Sequence, residues 1–437
     1  MRILYLLGTF PKISSEACIL NEIVELKSKG HEVSILAPDR EFGRQNGVVR
    51  EYKLNKDTIH FRNYNINRLL FLKGYFNNSR YNLGMLLMSA LKTIDFGVKI
   101  CYDMIIHPGE TASSIRLLVK THNSIFSISD TYLGYRKIKE RPDLVHVQFS
   151  HLNHLGQAEF ISEKFKCPFT ITFRALDLYE KASQKLIMTK SQKVDKASRI
   201  ITISEYNSKV IRKRFGRDPE VIHSAIDPEK FKPGDEKRKS EPGMRIIYVG
   251  RFVEKKGIEY LFQACQIMKR KGKDFEIVLI GDGPLLKTYH RLSRKLDMED
   301  KVLFKKVMPQ EEIIEELKRS DIFVLPSVIT KSGDRDILPN SLKEAMAMEI
   351  PVITTNISGI EELVEDDVSG LLVSPEDPMA IARALERLMT DPGLRERMGK
   401  EGRIKVIKEF NVHVEAKKLI EVFRYVTGNP MKIEHRH

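Results

Sequence analysis

The sequence has few cysteines and lacks any long apolar run. Its 437 residues include only four cysteines, which are scattered and show no paired spacing. Such cysteines fit buried thiols in a reducing cytoplasm better than disulfides or zinc ligands. No apolar stretch approaches the roughly 18 residues that a membrane-spanning helix needs. The cysteines are Cys18, Cys101, Cys167 and Cys265.

The N-terminus also lacks the features of a signal peptide. The segment MRILYLLGTFPK has a short apolar run without a small-residue cleavage site, so we expect a first β-strand there. Acidic residues are comparatively scarce in the first half: residues 1–230 hold 36 Lys and Arg against 24 Asp and Glu, or +12 of the net +14. This excess favours an anionic partner, namely a membrane surface, a lipid-linked phosphate or nucleic acid, over a basic surface without a partner.

Two successive α/β patterns account for the length. RILYLL, HEVSILAP, PDLVHVQFS, CPFTITF and SRIITIS predict strands of a first doubly wound sheet, and a second series begins at MRIIYVG. The polar segment PGDEKRKSEPG between them is typical of a linker. We therefore predict Rossmann-like domains at 1–228 and 229–412, with a C-terminal helix, 413–437, returning to the first. Residues 60–140 fit helices packed on the sheet, with a basic amphipathic membrane-contacting patch as the alternative.

The stretch from Ser332 to Thr355 carries the strongest site signal. It predicts a loop, a helix opening near Asn340 or Ser341 with a polar residue as its N-cap, and a buried strand. A helix N-terminus binds phosphate well, and the carboxylates of Asp336 and Glu344 flank this one. The arrangement suggests a nucleotide-sugar site, and an ordinary crossover with surface acids is an equal alternative for this stretch alone. A metal role for the acids of the DRD sequence is the less favoured alternative.

Two loops of the second series add to this site. Arg251 and Lys256 follow a strand, where two cations can neutralise a diphosphate leaving group. Gly281 and Gly283 lack the third glycine of a dinucleotide fingerprint, because Leu286 stands in its place. A tight turn approaching a base or ribose is therefore the better interpretation.

In the first series, the loop after the first strand should face the ligand cleft. It contains Gly8 and Lys12. His146, His151 and His154 form a cluster without the further partners that a zinc site needs. We expect His146 or His151 to line an acceptor cleft, with packing or surface positions as equal alternatives.

These motifs resemble family 4 of the retaining glycosyltransferases. The similarity lies in Arg251 with Lys256, in GDGP, IFVLPS, the acid-x7-Glu element with EAMA, PVITTNISGIEELV and GLLV. The opening FPKISSE and the asparagine of LNEI resemble the exopolysaccharide and colanic-acid branch. The resemblance covers nearly the whole chain, apart from residues 60–140. It implies a GT-B fold, in which two Rossmann-like domains face a cleft.

The resemblance also implies residue roles. Arg251 and Lys256 would hold the donor diphosphate, Glu344 the ribose and Asp336 the hydroxyls of the transferred sugar. Amides near Leu338, Pro339 and Asn340 would contact sugar and phosphate. Transfer would occur with retention of configuration, without a metal or another cofactor.

The implied partners are a nucleotide sugar, a saccharide or lipid-linked acceptor and an anionic membrane surface, in the cytoplasm or at the inner face of the membrane. Nucleic acid is not expected. A GT-B-fold nucleotide-sugar epimerase is the alternative function, and nucleic-acid binding through the basic half is the least favoured one.

Several positions depart from the family pattern. Arg174 stands where the family usually has a histidine facing the transferred sugar, and a protonated arginine cannot act as a base. Three explanations stay open for Arg174: the transferred sugar carries an anionic group that it contacts, it contacts a phosphate, or the activity of the protein is compromised. Asp336 is one methylene shorter than the usual glutamate, and Ile337 replaces a common glycine, which narrows the sugar pocket. Lys306 replaces a glycine near the base, so the identity of the nucleotide stays open.

Overall fold

The computed structural model describes residues 1–7, 17–37, 54–60, 96–121, 125–148, 152–179, 191–234 and 243–428. The chain divides into two compact units. The first comprises Met1–Phe173, Lys185–Ile201 and Ile420–His437, and the second Arg174–Gln184 and Thr202–Leu419. The domain limits predicted from the sequence stay a prediction beside this division, which places residues 202–228 in the second unit.

Two sheets organise the chain. The first has the strand order β3-β2-β1-β4-β5-β6-β7, and the second β10-β9-β8-β11-β12-β13. In each sheet, the first strand in sequence lies in the interior, the next two strands lie in turn on one side of it, and the remaining strands lie on the other side. This is the doubly wound arrangement of Rossmann-like folds. The predicted α/β class is thereby confirmed. The strands are β1 (Arg2–Leu6), β2 (Glu32–Ala37), β3 (Thr58–His60), β4 (Leu144–Gln148), β5 (Phe169–Phe173), β6 (Arg199–Thr202), β7 (Glu220–Val221), β8 (Met244–Val249), β9 (Phe275–Ile280), β10 (Val302–Lys305), β11 (Ile322–Leu325), β12 (Val352–Thr355) and β13 (Leu371–Val373).

Helices follow most strands, as the alternating sequence pattern predicts. Residues 96–106 are helical as well. The others are α1 (Ala17–Ser28), α2 (Pro108–Thr121), α3 (Ile125–Tyr135), α4 (Leu152–Phe165), α5 (Leu176–Tyr179), α6 (Ser191–Asp195), α7 (Glu205–Phe215), α8 (Ile258–Arg270), α9 (Leu286–Lys295), α10 (Gln310–Lys318), α11 (Asn340–Ala347), α12 (Pro378–Thr390), α13 (Pro392–Glu409) and α14 (Val412–Val426).

The central strands are continuous runs of buried side chains. Every residue of β4, β5, β11 and β12 is buried. Such runs, rather than alternation, are typical of parallel strands covered by helices on both faces. The sequence analysis missed β3 and β7, which have only three and two residues and are therefore too short to carry a periodic signal.

Local chemistry fixes the ends of the helices. The Ser204 side chain accepts a hydrogen bond from the amide of Asn207 at the start of α7, and Gly216 ends that helix at φ 62°. Asp377 and Asp391 cap α12 and α13, each followed by a proline at the first helical position. Side-chain oxygens at the N-cap and a left-handed glycine beyond the last turn satisfy backbone groups that the helix itself leaves unpaired.

The predicted C-terminal helix is present as α14. Its residues from Ile420 onward belong to the first unit, where the Phe423 ring lies 5.0 Å from the His146 ring in a near-perpendicular arrangement. The returning helix is therefore confirmed.

The four cysteines are free, and they differ in exposure. Cys167 and Cys265 are buried, and burial raises the pKa of the Cys167 thiol to about 11. Cys18 is half-buried and Cys101 is exposed, so the prediction of buried thiols is wrong for Cys101. Among the described residues, no helix combines the length and apolar character that crossing a membrane requires.

Candidate functional site

The loops that follow β8 and β9 pack closely at one edge of the second sheet. Phe252 donates its amide hydrogen to the Asp282 carbonyl oxygen over 2.8 Å, and the Tyr248 hydroxyl donates to the Arg251 carbonyl oxygen over 2.8 Å. The Arg251 side chain itself is exposed. In a doubly wound sheet, ligands bind outside the carboxyl ends of the strands. Arg251 thus lies at the expected edge.

Gly281 and Gly283 are required by this packing. A Cβ atom on Gly281 would lie 1.9 Å from the Gly250 carbonyl oxygen, and one on Gly283 would lie 2.5 Å from that of Phe252. Both have positive φ angles, 153° and 158°. The structure therefore explains both glycines by the close approach of two loops, and their contact with a base or ribose stays a prediction.

Lys256 and Asp336 form the central ion pair of the second unit. The Lys256 Nζ lies 2.7 Å from Asp336 Oδ2, and the Ser327 hydroxyl donates to the same oxygen over 2.7 Å. The Lys255 Nζ lies 3.8 Å from Asp336 Oδ1. Burial alone would raise the pKa of Asp336, but Lys256, Lys255 and Ser327 outweigh it and hold that pKa below its ordinary value. Asp336 is therefore an anion that two lysines neutralise.

Ser327 and Lys255 are members of this cluster that the sequence analysis did not single out. Ser327 closes the motif IFVLPS directly after β11, and Lys255 precedes Lys256. Lys255 also contacts Asp334, with its Nζ 3.0 Å from Oδ1. The position of Ser327 after a buried strand was an available signal, because that edge of the sheet is where ligands bind.

Helix α11 begins at Asn340, as predicted, but without the expected polar cap. The N-cap residue is Pro339, which makes no side-chain capping hydrogen bond, and within the described ranges no side chain accepts from the first-turn amides. A helix leaves its first amide hydrogens without intrahelical partners, and they carry partial positive charge. An uncapped start is therefore suited to an anion such as a phosphate. Leu338 and Pro339 lead into it as buried residues.

Glu344 lies one turn inside α11 and is half-buried. Burial raises the pKa of its carboxyl to about 7, and the neighbouring Lys343 lowers it in part. Within the described part of the chain, no hydrogen bond or ion pair is recorded for this carboxylate. Lys343 is fully buried, and its Nζ donates to the Ser224 hydroxyl over 2.7 Å and to the Ser224 carbonyl oxygen. The ammonium of Lys343 is thus hydrogen-bonded within the protein, whereas among the described residues the carboxylate of the adjacent Glu344 has no such partner.

Arg174 follows directly after β5 and is 6% exposed. Its amide donates to Asp177 Oδ2 over 3.1 Å, and its carbonyl oxygen accepts from Asn207 Nδ2 over 2.6 Å. Its backbone is therefore held firmly at a strand end. The predicted contact of its side chain with sugar or phosphate stays a prediction.

Of the acceptor residues predicted in the first half, the described part of the chain contains His146 alone. His146 is fully buried within β4, so it takes the packing position that the sequence left open and does not line a cleft. Its Nδ1 lies 2.8 Å from Thr170 Oγ1, and its ring packs edge-on at 4.9 Å from the Tyr5 ring. It is a core residue whose nitrogens are satisfied inside the sheet. Gly8, Lys12, His151 and the basic residues of 61–95 lie outside the described residues.

Two family profiles match the chain in succession. The one described as "Glycosyltransferase Family 4" matches residues 112–230, and "Glycosyl transferases group 1" matches residues 231–405. The chain is 38% identical over 202 residues to the amylovoran biosynthesis glycosyltransferase AmsK of Erwinia amylovora, covering 46% of this chain and 49% of that one. It is 36% identical over 207 residues to the putative colanic acid biosynthesis glycosyltransferase WcaL of Escherichia coli K12, covering 47% and 50%. The matching segments thus span about half the length of these relatives.

Solved structures show the same fold. Anabaena Alr3699/HepE in complex with UDP-glucose has a TM-score of 0.68 at 15% identity, covering 97% of this chain and 100% of that one. A glycosyltransferase from Rickettsia africae has a TM-score of 0.64 at 17% identity, covering 98% and 99%. These matches confirm the GT-B fold. The comparisons give no support to an epimerase or to nucleic-acid binding.

Proposed function

Because this chain belongs to family 4 of the glycosyltransferases, we propose that it moves a sugar from a nucleotide-diphosphate sugar to a saccharide or lipid-linked acceptor, with retention of configuration. The product would be part of a polysaccharide or glycoconjugate, as the names of the similar amylovoran and colanic-acid proteins suggest. The observation that carries this proposal is the buried Lys256–Asp336 pair, which lies in the same compact unit as the uncapped start of α11.

The donor would bind in the second unit. Arg251 and Lys256 would neutralise the diphosphate as it takes up negative charge, which is the form of stabilisation that contributes most in such reactions. The first-turn amides of α11 would bind a phosphate oxygen. Glu344 would accept hydrogen bonds from the ribose, and Asp336 from the hydroxyls of the transferred sugar. The Lys256–Asp336 pair and the α11 amides are held in place by the fold, so little reorganisation of these groups would accompany the reaction.

We propose that the reaction needs no metal. Asp334 and Asp336, the acids of the DRD sequence, lie 3.0 Å and 2.7 Å from the ammonium groups of Lys255 and Lys256. A divalent cation at these carboxylates would have to displace the lysines, which already supply positive charge there. In retaining enzymes with this fold, the departing phosphate is commonly thought to assist the acceptor. Binding would close the domains and exclude water from the activated sugar.

We further propose that the first unit contacts an anionic membrane surface from the cytoplasmic side. The helical residues 96–106 bury the acid Asp103 and expose apolar side chains. Val98, Tyr102 and Ile105 are 65%, 58% and 78% exposed. Together with the +12 charge of residues 1–230, this apolar face suits the interface of a negatively charged bilayer. In a flotation assay with vesicles that contain anionic lipid, we expect the wild type to float with the vesicles and the Ile105→Asp variant to remain in the soluble fraction. Equal flotation of both proteins would exclude this face as the membrane-contacting surface.

A melting screen over GDP-, UDP- and ADP-sugars tests the donor assignment. A ligand that binds only the folded state raises the melting temperature in proportion to the logarithm of its concentration over Kd. We expect nucleotide sugars that carry one particular base to raise the melting temperature, and those that carry the other bases to have little effect on it. If no nucleotide sugar raises the melting temperature, and none is transferred or hydrolysed, the proposed function is wrong.

A further inference from the structure

In the DRD sequence the two aspartates pair with lysines, whereas the arginine between them packs on an aromatic ring. Asp334 pairs with Lys255, and Asp336 pairs with Lys256. Arg335, between them, places its guanidinium 4.5 Å from the centre of the Tyr179 ring. Tyr179 ends α5, a few residues beyond Arg174. The loop that carries Asp336 therefore contacts the segment that carries Arg174, and both segments belong to the second unit.

Glycine makes this contact possible. Gly333 has φ +93°, and a Cβ atom there would lie 2.4 Å from the Tyr179 carbonyl oxygen. The Arg335 Nε donates to the Gly333 carbonyl oxygen over 3.0 Å, which folds the arginine back over its own loop. A backbone in close approach and a cation over the face of a tyrosine ring are two independent contacts between the same two segments.

A second set of contacts runs from Tyr179 back to Arg174. The Tyr179 hydroxyl donates to Asn207 Oδ1 over 2.7 Å, and Asn207 Nδ2 donates to the Arg174 carbonyl oxygen over 2.6 Å. Burial raises the pKa of Tyr179 well above its ordinary value, so the hydroxyl stays protonated and remains a donor. Asn207 is fully buried, and its own amide donates to the Ser204 side chain that caps α7. The Arg174 backbone is therefore tied to a rigid helix start.

We propose that Arg335, Tyr179 and Asn207 form a clasp that fixes the Asp336 loop relative to Arg174, so that they are positioning residues for sugar transfer. This rests on the proposed function, in which Asp336 binds the transferred sugar, and on the predicted contact of Arg174 with an anionic group of that sugar or with a phosphate. In this proposal the clasp residues act through Asp336 and Arg174, and not directly on the reacting atoms or the nucleotide. Since small displacements of reacting groups lower rates strongly, loosening the clasp should impair transfer while leaving nucleotide binding nearly unchanged.

The test compares Arg335→Ala, Arg335→Lys and Tyr179→Phe in the full-length protein. We expect Arg335→Ala to lower kcat by about tenfold or more while KM for the donor and Kd for the nucleoside diphosphate stay within about threefold. Arg335→Lys should recover part of the loss, because a lysine can also lie over the ring. Tyr179→Phe keeps the ring and loses the bond to Asn207, so it should show a smaller loss of kcat.

Arg199→Ala is the matched control. Arg199 lies 4.4 Å from the Tyr425 ring, which is the same type of contact, but at the amino end of β6 and in the first unit. We expect its kcat to remain near that of the wild type. The clasp is overturned if Arg335→Ala loses no more kcat than Arg199→Ala. It is also overturned if kcat and nucleotide affinity fall together, since Arg335 would then be a nucleotide ligand.

Hydrogen–deuterium exchange separates failure of the clasp from failure of the proposed function. A wild type without turnover on any donor would refute the function, whereas exchange needs no activity. The amides of Leu178 and Tyr179 donate to the Ala175 carbonyl oxygen. In Arg335→Ala we expect them to exchange at least about threefold faster than in the wild type, because α5 has lost a contact. Unchanged exchange would overturn the clasp whatever the activity.

Discussion

Replacement of Lys256 by methionine should destabilise the second unit strongly. The side chain of Asp336 is 9% exposed and its Oδ2 lies 2.7 Å from the Lys256 Nζ. Methionine fills similar space but supplies no charge, so it leaves a buried carboxylate without its main counter-ion. Removing one partner of a buried ion pair typically costs about 3–5 kcal/mol. The Lys255 Nζ remains 3.8 Å from Asp336 Oδ1, so the lower end, about 3 kcal/mol, is expected.

The loss should appear in thermal unfolding, and it should depend on pH. For a unit of this size, about 3 kcal/mol corresponds to a fall of about 6–12 °C in melting temperature. The pKa of Asp336 is lowered in the folded protein. The stability that it contributes is therefore present above the ordinary carboxyl pKa and is lost as pH falls through the folded value. The difference in melting temperature between wild type and Lys256→Met should have its full size near pH 7.5 and should become smaller below about pH 4.

Scanning calorimetry or circular dichroism of both proteins between pH 3 and pH 8 measures this difference. The double variant Lys256→Met with Asp336→Asn removes the orphaned charge, and we expect it to recover most of the lost stability. A fall of less than about 2 °C for Lys256→Met at pH 7.5 would refute the reasoning, because the buried carboxylate would then not depend on Lys256.

Three further predictions concern single residues of the site. Arg174→Ala should impair transfer while Kd for the nucleoside diphosphate, measured by calorimetry, stays nearly the same; an equal loss of both would make Arg174 a phosphate ligand. Glu344 has a pKa raised to about 7. Its ionisation therefore lowers the folding stability progressively as the pH rises from about 4.5 to 7. Glu344→Gln should therefore melt higher than wild type at pH 8 and equally at pH 4.5, and the opposite order would contradict the assigned burial. Gly281→Ala would bring a Cβ atom 1.9 Å from the Gly250 carbonyl oxygen, so its melting temperature should fall by several degrees, whereas Gly272→Ala, with nothing within 4 Å but a positive φ, should fall less.

The order of strands and helices followed from the sequence because it depends on local pattern. The runs IFVLP and PVITT are apolar and β-branched, and they became the buried strands β11 and β12. Long amphipathic segments such as α14 were equally clear. Their signal lies in a few consecutive residues, and burial in a parallel sheet or on a helix face is the physical origin of that signal.

The partners of individual side chains did not follow in the same way. The pairing of Lys256 with Asp336 joins residues 80 positions apart, and no local pattern encodes such a distance. His146 illustrates the converse. Its neighbours in sequence suggested a cleft, whereas contacts with Thr170 and Phe423 place it in the core. Interactions of this kind depend on how strands are ordered, which is known only once the chain has folded.

The α11 start shows a third situation. A polar cap was expected from the sequence, yet Pro339 occupies the cap position and makes no side-chain capping hydrogen bond. Where a local rule of this sort fails, a functional reason is often present. Here the amides left without a cap are those proposed to bind phosphate, so the failed prediction agrees with the proposed function.

The most direct test of the central claim is the initial rate of nucleoside diphosphate release from the donor selected by the melting screen, with the sugar passing to an added saccharide acceptor or to water. Arg251→Ala is the informative variant, because the exposed Arg251 side chain contributes little to folding. We expect the wild type to release the diphosphate and Arg251→Ala to do so about 100-fold more slowly, with an unchanged melting temperature. Equal rates in both proteins, or no release from any nucleotide-diphosphate sugar, would contradict a donor site in the second unit.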